Sequence, residues 1–167
     1  MKSGDVDQQF LELVNRYQPV IHKVCRMYAD SPEDRQDLFQ DILFQLWRSY
    51  PSFRGRSNFN TWMYRIALNT AITGLRKETR KPERVQLDVE TIRIAGPTAT
   101  AGTSERLEVL YRLIQRLSPV ERALVTLYLE DLSYREISEV LGLSESNVGV
   151  KLNRIKARLQ EFAKESP

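Results

Sequence analysis

The sequence is poor in the residues that build metal centres and disulfides. Its 167 residues include one cysteine, Cys25, and one histidine, His22. A single cysteine excludes an intrachain disulfide, and two candidate ligands do not complete a zinc coordination sphere. Their three-residue spacing within an apolar helical pattern favours packing for both side chains. We therefore predict no metal site, and since no glycine-rich phosphate loop occurs, we predict no catalytic residues and no cofactor.

Long hydrophobic runs are also missing. Hydrophobic residues make up 41% of the chain, yet no apolar run approaches the roughly 18 residues that indicate a membrane span. Residues 1–9 lack the apolar core and the small-residue cleavage site of a secretory signal. These absences predict a cytoplasmic protein without membrane insertion.

Charge is present but unevenly distributed. The formal net charge of +3 is modest for a protein that binds nucleic acid. Residues 30–41 contain five acids and one arginine, whereas residues 53–81 contain seven bases and one acid. One module therefore carries two surfaces of opposite sign, one suited to a basic protein partner and the other to nucleic acid.

Apolar residues recur at helical spacing nearly everywhere, and no segment shows the sustained alternation of a half-buried strand. We predict an all-α fold of two small helical domains, residues 1–80 and 105–167. Residues 81–104 are rich in proline, glycine, threonine and alanine, which predicts a flexible linker. The predicted helices cover residues 6–28, 31–50, 59–80, 105–117, 119–129, 134–141 and 145–163.

Several helix starts carry capping signals. Ser31 precedes Pro32, which is typical of an N-cap followed by a proline in the first turn. The segments Ser118-Pro-Val-Glu121 and Ser133-Tyr-Arg-Glu136 match the capping box, in which the serine and the glutamate satisfy each other's backbone donors.

Residues 134–148 have the layout of a helix-turn-helix. Gly142 can adopt the left-handed conformation that ends the first helix, and the second helix would enter the major groove. The residues predicted to lie near base edges or phosphates are Ser144, Ser146, Asn147, Gly149, Lys151, Arg154, Lys156 and Arg158. The alternative interpretation is an ordinary helical hairpin with a solvated basic face.

Two segments of the first domain can each be interpreted as a binding surface or as a solvated surface. Phe53 and Phe59 flank a polar, basic loop, and aromatic rings beside bases suit unstacked single-stranded nucleotides. Arg65, Asn69 and Arg76 recur along one side of the next helix, where they could line a DNA strand or only meet water. The acidic face of the second helix could likewise be no more than a solvated surface.

The order of these motifs carries a resemblance to a known family. The stretches at residues 37–41, 53–57, 61–71 and 117–122, followed by the helix-turn-helix, resemble those of bacterial RNA polymerase sigma factors of the extracytoplasmic-function (ECF) group of the sigma-70 family. The resemblance covers nearly the whole chain except the linker.

For the first domain, the resemblance implies sigma region two. It implies that Asp37, Gln40 and Asp41 dock on the clamp helices of the β′ subunit of core RNA polymerase. It also implies that the loop and the following helix capture a flipped base of the minus-ten element and melt the promoter. The residues implied in this role are Phe53, Arg54, Arg56, Ser57, Asn58, Phe59, Arg65, Asn69 and Arg76.

For the second domain, the resemblance implies sigma region four, which binds the β flap and reads the minus-thirty-five element as duplex DNA. It further implies an anti-sigma factor, and a chain that is not itself an enzyme, because the polymerase makes the phosphodiester bonds. Many relatives carry a basic residue and a serine where this chain has Gly149 and Val150, and often an acid in place of Arg56. These departures leave the exact upstream sequence open.

Two other functions fit part of the pattern. A stand-alone helix-turn-helix regulator would read paired half-sites as a dimer. A protein-interaction module with a degenerate DNA-binding domain would bind the polymerase or an anti-sigma factor without opening a promoter.

Overall fold

A computed structural model describes residues 3–53, 55, 58–76 and 104–165, and its secondary-structure elements within these ranges are all helical. They confirm the all-α prediction. The helices are α1 (Ser3–Tyr28), α2 (Pro32–Ser49), α3 (Phe59–Arg76), α4 (Ser104–Gln115), α5 (Pro119–Leu129), α6 (Tyr134–Leu141) and α7 (Glu145–Glu165), with a short 3-10 helix at Tyr50–Ser52.

The described helices fall into two compact units, α1 to α3 and α4 to α7. Of the predicted linker, residues 81–103 lie outside the described residues, and Ser104 is the first residue of α4. The predicted extension of the third helix over residues 77–80 also lies outside them.

The first unit is a three-helix arrangement around one core. α1 starts three residues before the predicted position and continues through Pro19. The core side chains come from all three helices, namely Val14, Ile21, Val24, Phe39, Ile42, Leu43, Leu46, Met63, Tyr64, Ala67 and Leu68. Trp47, which the periodicity places on the apolar face of α2, is 38% exposed and meets Phe10 only edge-on, with ring centroids 5.1 Å apart.

The start of α2 is fixed by the residues before it. The Ser31 Oγ accepts a hydrogen bond from the Asp34 backbone N–H at 3.1 Å, and Pro32 occupies the first turn. The Arg35 Nε donates to the Ala29 carbonyl at 3.0 Å, which ties α2 to the end of α1. The predicted serine cap is therefore confirmed.

The second unit begins its helices at the predicted capping boxes. The Ser118 Oγ accepts from the Glu121 N–H at 3.3 Å while the Glu121 carboxylate accepts from the Ser118 N–H at 3.1 Å. Ser133 and Glu136 make the same reciprocal pair, each bond 3.1 Å long. Both boxes are confirmed, and α5 and α6 have the predicted bounds.

Two further details position the helix-turn-helix. Gly142 has φ 70° and ψ 26°, which is the left-handed conformation predicted for the end of α6. Arg122 donates to the carbonyls of Gln115 and Leu117, at 2.8 and 3.0 Å, and so fastens the corner between α4 and α5. The core beneath α7 contains Leu124, Leu127, Ile137, Val140, Val148, Leu152 and Ile155.

Candidate functional site

The acidic surface lies on α2 and consists of Asp34, Asp37, Gln40 and Asp41. Asp34 is exposed, but the other three side chains are half-buried, so this surface is more closely packed than a plain solvated face. Asp37 and Asp41 are four residues apart and therefore lie on one side of the helix. A partner that carries basic side chains would meet both carboxylates together.

Cys25 and His22 lie on α1 beneath this helix and serve packing. The His22 ring stacks on Phe39 with centroids 4.7 Å apart, and partial burial lowers the pKa of His22. Burial raises the pKa of the Cys25 thiol to about 12; Arg35 opposes this rise and Asp41 adds to it. Within the described ranges, no group of three or more His, Cys, Asp or Glu side chains could hold a metal ion.

An aromatic cluster, made of Tyr17, Tyr50, Phe53, Phe59 and Trp62, supports the loop before α3. The Phe53 and Phe59 rings are half-buried and lie 5.7 Å apart edge-on. Both pack on Trp62, with centroids at 5.0 and 5.3 Å. Both ends of the loop are thus anchored in one hydrophobic group. Trp62 on α3, which joins the two ends, was not among the predicted site residues.

Inside the loop, the structure describes only part of the predicted site. Gly55 adopts the left-handed conformation, with φ 68°. Asn58 is exposed, and its Oδ1 accepts from the Asn60 N–H at 2.8 Å at the start of α3. The predicted contacts Arg54, Arg56 and Ser57 lie outside the described residues.

The helix α3 presents the remaining minus-ten candidates that the structure describes. Arg65 and Asn69 are both exposed, and their four-residue spacing puts them on the same side of the helix. Arg76 is the last residue of α3, and its side chain lies outside the described structure. Because Asn58 and Phe59 begin the same helix, this exposed side of α3 continues directly from the loop.

The start of α7 is exposed and polar, as the helix-turn-helix pattern predicts. The Ser144 Oγ accepts from the Asn147 N–H at 3.2 Å and lies 3.4 Å from the Ser146 Oγ. Ser144, Ser146 and Asn147 are all exposed. Lys151 and Arg154 follow on the same helix, and these two bases have no partner among the described residues.

The other two bases of α7 that the sequence predicts as DNA contacts, Lys156 and Arg158, have partners inside the domain. The Lys156 Nζ donates to the Tyr128 hydroxyl at 3.0 Å and lies 4.2 Å from that ring's centroid, and the hydrogen bond raises the pKa of Lys156. The Arg158 Nη1 forms a 2.6 Å ion pair with the Glu121 carboxylate. Sequence analysis treated both bases as available to phosphates, since partners 28 and 37 residues away leave no local signal.

Two adjacent positions of α7 differ from each other in exposure. Gly149 is half-buried, and a β-carbon there would lie 3.3 Å from Cε2 of Tyr134, so this position faces α6. Val150, which was not among the predicted contacts, is 49% exposed. Helical periodicity counted from the buried Val148 and Leu152 is the signal that would have predicted the exposure of Val150.

The two units match two family models of known proteins, in the order in which the units occur along the chain. Residues 13–81 match the family model of Sigma-70 region 2, and residues 107–159 match that of Sigma-70, region 4. No helix in the described ranges is both long and apolar enough to cross a membrane.

The similar curated proteins are ECF RNA polymerase sigma factors. The sigma-E factor of Escherichia coli strain K12 is 30% identical over 167 residues, which cover 93% of this chain and 86% of the relative. The sigma-E factor of Haemophilus influenzae is also 30% identical, with 96% and 89% covered. SigG of Mycobacterium tuberculosis strain H37Rv is 29% identical across 81% of this chain, but the match spans only 44% of SigG.

Two solved structures share the fold. RpoE of Bartonella quintana, in complex with the anti-sigma factor NepR, superposes with a TM-score of 0.70 at 23% identity, covering 96% of this chain and 98% of RpoE. CnrH, in complex with the cytosolic domain of CnrY, gives 0.69 at 20% identity, covering 96% and 91%.

Proposed function

The chain belongs to the sigma-70 family as an ECF RNA polymerase sigma factor, and on this premise we propose how its two units divide the work of initiation. Residues 1–80 contain the unit that binds core polymerase and opens DNA, residues 105–167 form the unit that reads the upstream element, and residues 81–104 connect the two in the sequence. The observation that carries this proposal is the ordered match of sigma regions 2 and 4 along one chain.

We assign polymerase binding to Asp37, Gln40 and Asp41. Their side chains lie on one exposed side of α2 but are half-buried, which gives a negatively charged surface with restricted side chains. A fixed charge loses less conformational entropy on binding than a free one. The proposed partner surface is the pair of clamp helices of the β′ subunit.

We assign promoter melting to the loop before α3 and to the exposed side of that helix. The aromatic cluster holds both ends of the loop, while Arg65 and Asn69 offer a charge and an amide to a DNA strand. Extruding a base from duplex DNA costs a few kcal/mol, so contacts made only with the extruded base must offset that cost. The residues proposed here outside the described structure are Arg54, Arg56, Ser57 and the side chain of Arg76.

We assign the minus-thirty-five element to α7 and the β flap to the same unit. Ser144, Ser146 and Asn147 present polar atoms at the exposed start of α7, and Lys151 and Arg154 present charges further along it. Lys156 and Arg158 already contact Tyr128 and Glu121 within the unit, and these contacts compete with phosphate, so we assign the two bases a smaller share of the DNA contacts.

We further propose an anti-sigma factor as a regulatory partner and the cytoplasm as the site of action. RpoE, one of the solved structures that share this fold, forms a complex with the anti-sigma factor NepR, which supports the first proposal. The core polymerase, in the same compartment, makes the phosphodiester bonds, and the chain supplies promoter recognition and melting.

Run-off transcription with core polymerase tests this function. The chain should direct initiation from specific members of a promoter library, and the double variant Asp37→Asn/Asp41→Asn should lose co-elution with core polymerase. The matched control is Glu12→Gln, which removes an exposed carboxylate from α1, outside the acidic surface, and should leave co-elution unchanged. Tight binding to an operator by a dimer without polymerase would instead support a stand-alone regulator.

A further inference from the structure

Val150 occupies the outermost position of α7. The buried stripe of this helix comprises Val148, Leu152 and Ile155, each 1% exposed or less. At about 100° per residue, Val150 lies roughly half a turn around the helix from the middle of this stripe. Ser146 precedes it and Arg154 follows it by about one turn on the same exposed ridge. A valine 49% exposed therefore stands at the point furthest from the domain core.

The neighbouring residues leave this side chain unobstructed. On one flank, Gly149 carries no side chain, and a β-carbon there would lie 3.3 Å from Cε2 of Tyr134. On the other flank lie the Asn147 amide and the Lys151 stem, both exposed. A single exposed valine on a protein surface is ordinary and needs no explanation. Here, however, it lies at the centre of the face that also carries the polar groups proposed to contact base edges.

We propose that Val150 is a specificity-determining residue, which selects a thymine in the upstream element by contact with its C5-methyl group. The major groove presents one apolar group, the methyl of thymine, and apolar side chains read it by direct contact. Valine offers two methyl groups and no hydrogen-bonding atom, so it gains nothing from the exocyclic groups of cytosine, adenine or guanine. This inference rests on the proposed function of α7.

Deoxyuridine lacks only the C5-methyl of thymine and therefore tests the contact. The preferred upstream element is first selected by run-off transcription from a randomised library with the reconstituted holoenzyme. Each thymine in it is then replaced in turn by deoxyuridine, and the apparent affinity of the holoenzyme is measured for each duplex. We expect one position at which loss of the methyl weakens binding about fourfold, the factor that corresponds to burial of one methyl-sized group.

Three variants assign that effect to a side chain. Val150→Ala should abolish the difference between thymine and deoxyuridine at the sensitive position, while Val150→Ile should retain it. Val109→Ala removes a valine of similar exposure, 43% against 49%, from α4 and should leave the ratio unchanged. Because the ratio is read within one holoenzyme, a change in polymerase affinity or in folding cancels.

The failure of this inference is distinguishable from the failure of the proposed function. If the holoenzyme initiates from a defined promoter but no thymine is methyl-sensitive, the inference is overturned and the function stands. A sensitivity that persists in Val150→Ala also overturns it. If the chain directs no initiation with core polymerase, both the inference about Val150 and the proposed function are overturned.

Discussion

At the scale of single residues, burial decides the chemistry of Cys25. The side chain is 2% exposed, and burial raises the pKa of the thiol to about 12 because the thiolate is poorly solvated there. Thiolates, not thiols, react with alkylating agents. The only cysteine of the chain is therefore a packing residue whose reactivity reports on the integrity of the first unit.

We predict that Cys25 resists alkylation by iodoacetamide in the native protein at pH 8 and reacts fully once urea unfolds it. The rate should follow the unfolded fraction measured by circular dichroism through the transition. Fast labelling of the native protein would show that the thiol is exposed or ionised.

The same residue predicts a pH dependence of stability. The folded-state pKa lies above the ordinary value of 9.0, so the unfolded chain ionises first as pH rises. The contribution of Cys25 to the free energy of unfolding is therefore fully present below pH 9.0 and is lost progressively as pH rises towards 12. Urea titrations in this window should show a smaller slope in Cys25→Ala; an unchanged slope would assign the pH dependence to other groups.

Glu121 has two roles at once, in the capping box of α5 and in the ion pair with Arg158. Partial burial alone would raise the pKa of Glu121, but the hydrogen bonds from Ser118 and Arg158 outweigh it and lower the pKa. The contribution of this carboxylate to stability is therefore present above its ordinary pKa of 4.5 and is lost as pH falls below it.

We predict that Glu121→Gln lowers the free energy of unfolding at pH 7 by about 0.5–1 kcal/mol, because the amide keeps the capping acceptor but loses the charge. The matched control is Glu139→Gln, which breaks a 3.7 Å pair with the largely exposed Arg135 and should cost only about 0.3 kcal/mol. Urea unfolding measures both. Equal losses of free energy of unfolding in the two variants would contradict this prediction. They would mean that the ion pair between Glu121 on α5 and Arg158 on α7 stabilises the fold no more than an exposed pair within one helix.

At the scale of elements, local signals predicted some boundaries and not others. α5 and α6 have the predicted bounds because their serine caps act within one turn. The starts of α1 and α4 and the end of α7 differ by one to three residues, since no strong cap marks them. The aromatic cluster and the partners of Lys156 and Arg158 are contacts between elements, which periodicity within one segment does not reveal.

The contact between α6 and α7 at Gly149 gives an element-scale prediction. Alanine in place of a helical glycine stabilises by about 0.5–1 kcal/mol, but here the new β-carbon would press on the Tyr134 ring at 3.3 Å. We expect Gly149→Ala to raise the free energy of unfolding by about 0.5–1 kcal/mol in a Tyr134→Ala background and by less in the wild-type chain. Urea unfolding of the four proteins measures this coupling. An identical gain in both backgrounds would show that the ring moves aside freely.

At the scale of the whole molecule, the account assigns polymerase binding and strand separation to different helices of one unit. α2 carries the acidic surface, and the exposed side of α3 carries Arg65 and Asn69. The charge distribution in the sequence predicts that the acidic and basic surfaces lie on different helices, because the sign of the charge reverses between residues 30–41 and 53–81. The orientation of single side chains could not be predicted from the sequence, since it depends on which neighbours bury them.

We predict that Arg65→Gln separates these two activities. The variant should co-elute with core polymerase like the wild-type chain but form open promoter complexes with an affinity lower on the order of tenfold, because a charge-assisted contact to the DNA strand is lost. Arg106→Gln removes an exposed arginine from α4 and serves as the control. Loss of polymerase binding by Arg65→Gln would contradict the separation.

Permanganate footprinting of the reconstituted holoenzyme on its selected promoter tests the central claim most directly, because permanganate oxidises thymines only where the duplex is open. The account predicts reactive thymines in the minus-ten region with the wild-type chain and core polymerase together, and none with either alone. Thymines that stay unreactive while the holoenzyme is bound at this promoter would contradict it.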